Sequence, residues 1–211
     1  MGQKGVINYF NKWKKDFKGN SFYIFLSLLF FIFVGIMNYF AGNFADRVGG
    51  VKIPDIILDN IPVFNISHLY VWGIFLTIGL LLFYPFIFRI KDFAYTFSQF
   101  SLLVLIRNFF IILNHFSSPE GAINIVFPWP ISAWAFNNDL FFSGHVGIPL
   151  LGFFIFKDSK MRWVFLISAI FMGATTLLAH RHYSVDVFAA LFIAYGSYSL
   201  GKFIFRKKSK F

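Results

Sequence analysis

An all-α fold is what this sequence predicts: a polytopic membrane protein with six transmembrane helices in one bundle. Three observations point there. The 211 residues are 58% hydrophobic and only 13% charged, roughly half the charge of an ordinary soluble domain, and the mean hydropathy is +0.68. The apolar residues fall into runs near the ~20 residues a helix needs to cross the hydrocarbon core. The lysines and arginines gather beside alternate runs instead of spreading over the chain.

The composition also excludes several classes. There is no cysteine, so disulfides and thiolate metal sites are ruled out. A net charge of +10 raises the question of nucleic acid. The positive charge sits next to apolar runs and not on a soluble face, so no nucleic-acid partner is expected.

Taken in order, residues 1–20 form a cytosolic basic amphipathic segment. Lys4, Lys12, Lys14, Lys15 and Lys18 accompany Val6, Phe10, Trp13 and Phe17 at helical spacing. That suits a short helix in the headgroup region, its lysines toward acidic lipid, or a solvated tail. Residues 21–205 make up the six-helix catalytic domain. The first span is 21–41. A basic start before an apolar run also suits a signal peptide, but the run is long for one and lacks a small-x-small cleavage site, so a retained helix is expected. A polar loop, 42–65, carries Asp46, Arg47, Lys52, Asp55 and Asp59. The second span is 66–88, the turn Arg89-Ile90-Lys91-Asp92 follows, and the third span is 93–112. The loop 114–140 holds Pro119, Pro128, Trp129, Pro130 and Trp134. It is aromatic and nearly uncharged, suited to the interface, either as a lid over a lipid site or as an anchoring belt. The fourth span is 141–156, a basic turn runs over 157–162, and the fifth and sixth spans are 163–179 and 185–205. Residues 206–211 are a cytosolic basic tail. No internal repeat is visible.

Fifteen of the nineteen lysines and arginines lie in the N-terminal segment, the turns after spans two and four, and the C-terminal end. Six spans put all of these on one side, the cytosol, with both termini there. The stretches 139–145 and 177–187 then lie on the outer face, periplasmic or lumenal.

Those two stretches hold the chemistry. Ionisable residues where hydrocarbon meets water are expensive and mark a functional site by default. His182 and Asp186 are four apart, one helical face. A carboxylate beside an imidazole fixes its tautomer and stabilises its charged form, making it a better base or nucleophile. His145 follows Ser143-Gly144 at a helix start, where free backbone N–H groups attract anions such as phosphate. Arg107 lies about 7 Å inside the outer end of the third span at 1.5 Å per residue, and a cation there calls for a phosphate or a carboxylate.

Ser143-Gly144-His145 followed by His182-Tyr183-Ser184-Val185-Asp186 resembles the paired signature of the type-2 phosphatidic acid phosphatase superfamily. More closely, Asp139-Leu140-Phe141-Phe142-Ser143-Gly144-His145 and Leu177-Leu178-Ala179-His180-Arg181-His182-Tyr183-Ser184-Val185-Asp186-Val187 resemble the third and fourth signature motifs of its sphingomyelin synthase branch. Arg107 and its successors resemble that branch's second motif, without the expected Leu-Pro ending. The resemblance covers about 107–195. It implies a triad in which His182 attacks phosphorus, Asp186 orients it, and His145 protonates the leaving alcohol and then serves as base for the acceptor. Arg107, Ser143, Gly144, Asp139, His180 and Tyr183 are the expected substrate-binding or supporting residues, and no cofactor or metal is expected.

One departure bears on the branch. The superfamily's phosphatases carry arginines where this chain has Asn114 and Thr176. Those arginines grip a monoester dianion; their loss suits a phosphodiester. The expected activity is therefore headgroup transfer from a glycerophospholipid to ceramide, diacylglycerol or a similar lipid alcohol. The rival readings are a lipid phosphate phosphatase, a phospholipase C-like hydrolase using water, a metal hydrolase with His180, His182 and Asp186 as ligands, and an anion transporter, for which inverted repeats are missing.

Overall fold

A computed structural model describes residues 3–129, 132 and 135–205. Pro130 and Trp134 of the aromatic loop, and the tail 206–211, lie outside the described residues. The chain is all-helical: α1 (Gln3–Val48), a short 3₁₀ turn (Leu58–Asn60), α2 (Ser67–Phe88), α3 (Ile90–Leu113), α4 (Gly144–Ile155), α5 (Met161–Leu178) and α6 (Ser184–Phe205). Five of these are long and apolar enough to cross a membrane.

The fourth helix departs from the expected span. α4 has only 12 residues, about 18 Å at 1.5 Å per residue, against a hydrocarbon core of about 30 Å. Phe141, Phe142 and Ser143 are drawn into a turn before it. The run reads as a span because it is uniformly apolar, but that apolarity meets protein. Val146, Gly147, Pro149, Leu150, Leu151 and Gly152 are buried. Val146, Leu150 and Leu151 share one core with Leu81 of α2, Phe100 and Leu103 of α3, Phe165 and Ala169 of α5, and Ala190 and Ala194 of α6. Gly152 leaves room for α5: a Cβ there would lie 2.5 Å from the Phe165 ring.

The N-terminal segment differs as well. α1 runs without a break through the expected boundary at residue 20, for 46 residues or about 69 Å. Its first turns are neither a separate surface helix nor a loose tail. Trp13 donates from Nε1 to the Phe86 carbonyl at 2.8 Å, packs edge-on to the Phe86 ring, and stacks on Phe17. Lys91 pairs with Asp16 at 3.4 Å. At its other end α1 outlasts the expected span by seven residues and stops where Gly49 takes a φ of 75°, its N–H returning to the Ala45 carbonyl at 3.0 Å. A glycine in the left-handed region is a common helix stop.

Asn20, Lys91, Lys157 and Lys202 line one cavity at one end of the bundle. The opposite end is made by the start of α2, the end of α3, the starts of α4 and α6, and the end of α5. Both long loops close over it. Val51 bridges to Phe116, and Asp46 accepts from the Asn137 and Asn138 amides at 2.9 and 2.8 Å. Ile123 N donates to the Ala179 carbonyl at 3.2 Å and Phe64 N to that of Leu178 at 2.9 Å.

Candidate active site

The turn between α5 and α6 carries the first half of the site. The amides of Ala179, His180 and Arg181 return to the carbonyls of Thr175, Leu177 and Thr176, winding the chain tightly out of α5. His180 then takes a φ of 50°, uncommon for a residue with a Cβ, and reverses the chain. α6 restarts at Ser184, with His182 just before it and Asp186 in its first turn. A carboxylate is favoured there by the helix dipole. Asp186 is fully buried. One of its oxygens, Oδ2, accepts from the Tyr183 amide at 3.0 Å and stands 3.3 Å from Nδ1 of His182. With the proton on Nδ1 facing the carboxylate, Nε2 of His182 is left as the free basic nitrogen.

The second half sits at the start of α4. Arg107 reaches across from α3 and donates from Nε to the Phe142 carbonyl at 3.0 Å and from Nη2 to the Asp139 carbonyl at 2.8 Å. It also pairs with the Asp139 carboxylate. One guanidinium thus holds the whole turn that leads into α4. A Cβ at Gly144 would stand 3.4 Å from Arg107 Nε, at ordinary contact distance, so the guanidinium lies directly against the first turn of α4. Ser143 caps α4 with its carbonyl, which accepts from Gly147 N at 2.9 Å, and its own amide donates to the Asp186 carbonyl at 3.2 Å. That bond ties the two halves together. It brings His145 opposite His182, ring centroids 6.3 Å apart. His145 is stacked on Tyr70 of α2 at 3.8 Å. The Ser143 hydroxyl, His145 Nε2, Asp186 Oδ1, His180 Nε2 and Arg181 Nε are buried with no partner among the described residues, a concentration of unmatched polar atoms at this end.

His180 and Tyr183 are placed at the margin. His180 is buried with Nδ1 3.1 Å from the Glu120 carbonyl, so it fastens the aromatic loop to the α5–α6 turn. The Tyr183 hydroxyl accepts from Ile53 N at 3.2 Å and donates to the Ser117 carbonyl at 3.0 Å, joining both loops. Burial raises its pKa above the ordinary 10.0, so it stays a neutral donor.

Three residues here escaped the sequence reading as site residues. Asp55, from the first loop, accepts from Ile57 N and Leu58 N at 2.9 and 3.2 Å and from Ser184 N at the start of α6. Burial pushes its carboxyl up, but those amide bonds, Ser184 foremost, prevail and hold it below the ordinary 3.8. Tyr70 opens the second span and carried no local signal. Arg181 lies between the two motif histidines and was visible as a misplaced charge.

Chemically, this is two imidazoles facing each other, one backed by a carboxylate, at a helix start with unmatched polar groups. A single phosphoryl group can span the gap, since reacting atoms stand about 3–3.5 Å apart in a near-attack arrangement. Among the described residues no three histidine or acidic side chains form a metal-ligand cluster.

No curated protein matches the chain. Residues 138–202 match a family model, PAP2 superfamily C-terminal, and the match runs from Asn138 through α4, α5 and most of α6, holding both histidines and Asp186. This supports the type-2 phosphatidic acid phosphatase superfamily and, with it, a lipid phosphatase or phosphotransferase-like enzyme on a membrane scaffold.

Proposed function

We propose that the protein transfers a phospho-alcohol headgroup from a glycerophospholipid to ceramide, diacylglycerol or a similar lipid alcohol, as the sphingomyelin synthase branch does. The observation that carries this is His145 facing His182 at 6.3 Å, with Asp186 on the other nitrogen of His182. In the first half-reaction Nε2 of His182 attacks the donor phosphorus. The bond from phosphorus to the diacylglycerol oxygen breaks as His145 delivers a proton to that oxygen. In the second, His145 takes the proton of the acceptor hydroxyl, whose oxygen attacks the phosphohistidine and returns His182 free. Asp186 steadies the positive charge that forms on His182 once Nε2 is bonded to phosphorus. The amides at the start of α4 and the Ser143 hydroxyl are placed to receive phosphate oxygens, and Arg107 with Asp139 keeps that turn in position.

The absence of arginines at Asn114 and Thr176 supports a diester donor. Thr176 is buried and bonded back to the Met172 carbonyl, so it offers the phosphate nothing in their place. The site faces outward, with the termini in the cytosol, in keeping with the basic segments gathered at the other end of the bundle.

The test is a product assay on purified protein in mixed micelles with fluorescent ceramide, a phospholipid donor mixture, and separately phosphatidic acid. A donor-dependent phosphoceramide that disappears in His182→Ala is the expected result. Inorganic phosphate released from phosphatidic acid would instead make it a lipid phosphatase. A free phospho-alcohol without a lipid product would make it a phospholipase C-like hydrolase.

A further inference from the structure

Of the two arginines at this end, Arg107 is already matched. It donates to two carbonyls and pairs with Asp139, the two side chains only 14% and 13% exposed. The charge of Asp55 is taken up by three backbone amides, and Asp186 serves His182 and the Tyr183 amide. Arg181 is different. Among the described residues no carboxylate pairs with it. Nη1 reaches the Ile123 carbonyl at 3.5 Å, and Nε is buried with no partner among the described residues. A buried donor without an acceptor is costly, and an anionic oxygen is the acceptor that relieves it best.

Its position adds to this. Arg181 immediately precedes His182. Its guanidinium lies beside the hydroxyl of Tyr70, whose ring is stacked on His145 at 3.8 Å. Arg181 is thus tied to the site twice, as the residue before His182 and through Tyr70, which stacks on His145.

We infer that Arg181 is the substrate-binding cation of this site and selects a lipid phosphodiester. This rests on the headgroup-transfer reading. The supply of guanidinium donors argues for the diester. Arg107 is committed to Asp139 and two carbonyls, which leaves Arg181 as the one of these two arginines for a phosphate, and a phosphodiester brings one negative charge to it. A phosphomonoester, with its second ionisation near pH 6, brings closer to two at neutral pH.

The experiment measures binding of dioctanoyl phosphatidylcholine, phosphatidylethanolamine and phosphatidic acid to purified protein carrying His182→Ala, so that no donor is consumed, with and without changes at Arg181. Arg181→Ala should weaken binding of the preferred diester about 10- to 100-fold, the span of one charge-assisted hydrogen bond, and Arg181→Lys should recover part of it. In the active protein the same changes should raise KM for the diester more than they lower kcat. If Arg181→Ala does not fold, Arg181→Gln and Arg181→Lys are compared, and lysine should bind where glutamine does not. Diester binding that is unchanged in a folded Ala or Gln variant overturns the inference. So does phosphatidic acid binding more tightly than either diester through Arg181. Turnover that survives His182→Ala sinks the headgroup-transfer reading itself. Turnover that needs His182 but keeps its KM without Arg181 sinks only this inference.

Discussion

α1 and α4 are both strongly apolar helices, and they meet different solvents. α1 has six buried residues among the 43 from Val6 to Val48, and its outer face shows Phe22, Phe25, Ile32, Phe33 and Phe40 to the surroundings. α4 has six buried residues among 12 and none exposed. One helix is apolar because it faces lipid, the other because it fills the centre of the bundle. The difference matters for function. A helix surrounded by α2, α3, α5 and α6 is held on every side, and its first turn carries His145. That support fixes where the His145 ring stands, opposite His182.

The comparison is sharpest where the central helix meets the site. His145→Ala should lower turnover on the order of 10²- to 10⁴-fold, and His182→Ala should lower it further, to background. Both should still fold, with a lowered thermal midpoint, since His145→Ala gives up the stack on Tyr70 and His182→Ala leaves the buried Asp186 carboxylate with the Tyr183 amide alone. Near-normal activity in His182→Ala would overturn the mechanism. Gly152→Leu attacks the same helix from the other side. With Phe165 already in the way, overpacking should cost about 3 kcal/mol or more and lower the yield of monodisperse protein. A Leu variant that folds normally would mean that α4 is less enclosed than described.

On α1 the two faces can be compared directly. Val34 is 1% exposed and Ile32 56%. Val34→Ala should cost about 2 kcal/mol through lost contacts and the cavity left behind. Ile32→Ala, exchanging one lipid-facing apolar group for a smaller one, should stay within ~0.5 kcal/mol. Equal effects in a thermal-shift measurement would mean that α1 packs on a second surface.

How much of this could be read in advance follows the same division. Apolar runs announce helices, so the five spanning-length helices were legible. They do not announce which solvent the run meets, so the shortness of α4 was not. The end of α1 was legible in principle from Gly49-Gly50, and its unbroken passage through residue 20 was not, because docking Trp13 on the Phe86 carbonyl is a contact 73 residues apart. In the site, the pairing of His182 with Asp186 is local, one helical turn, and spacing alone suggests it. The approach of His145 to His182 hangs on the Ser143 amide reaching the Asp186 carbonyl, which no local pattern encodes. Tyr70 lies further out of reach still: an aromatic residue opening an aromatic-rich span gives no sign that it stacks on an imidazole 75 residues later.

A further effect, smaller than those in the core, concerns the loops over the site. Asp55 joins the 3₁₀ turn to the start of α6, and its carboxyl is held below the ordinary 3.8 by the amides it accepts from, despite its burial. The sign follows from linkage. A depressed pKa means the folded protein prefers the ionised form, so the stabilisation is fully present above 3.8 and fades as pH falls through the lower folded value. The thermal midpoint should therefore drop on acidification below about pH 4, and Asp55→Asn should flatten that part of the profile while costing about 1 kcal/mol near neutrality. An acid limb unchanged by Asp55→Asn would show that the loop is held mainly by Tyr183, whose two bonds to Ile53 and Ser117 do not titrate in that range. In that case Tyr183→Phe, not Asp55→Asn, is the change that should free the loops from the site.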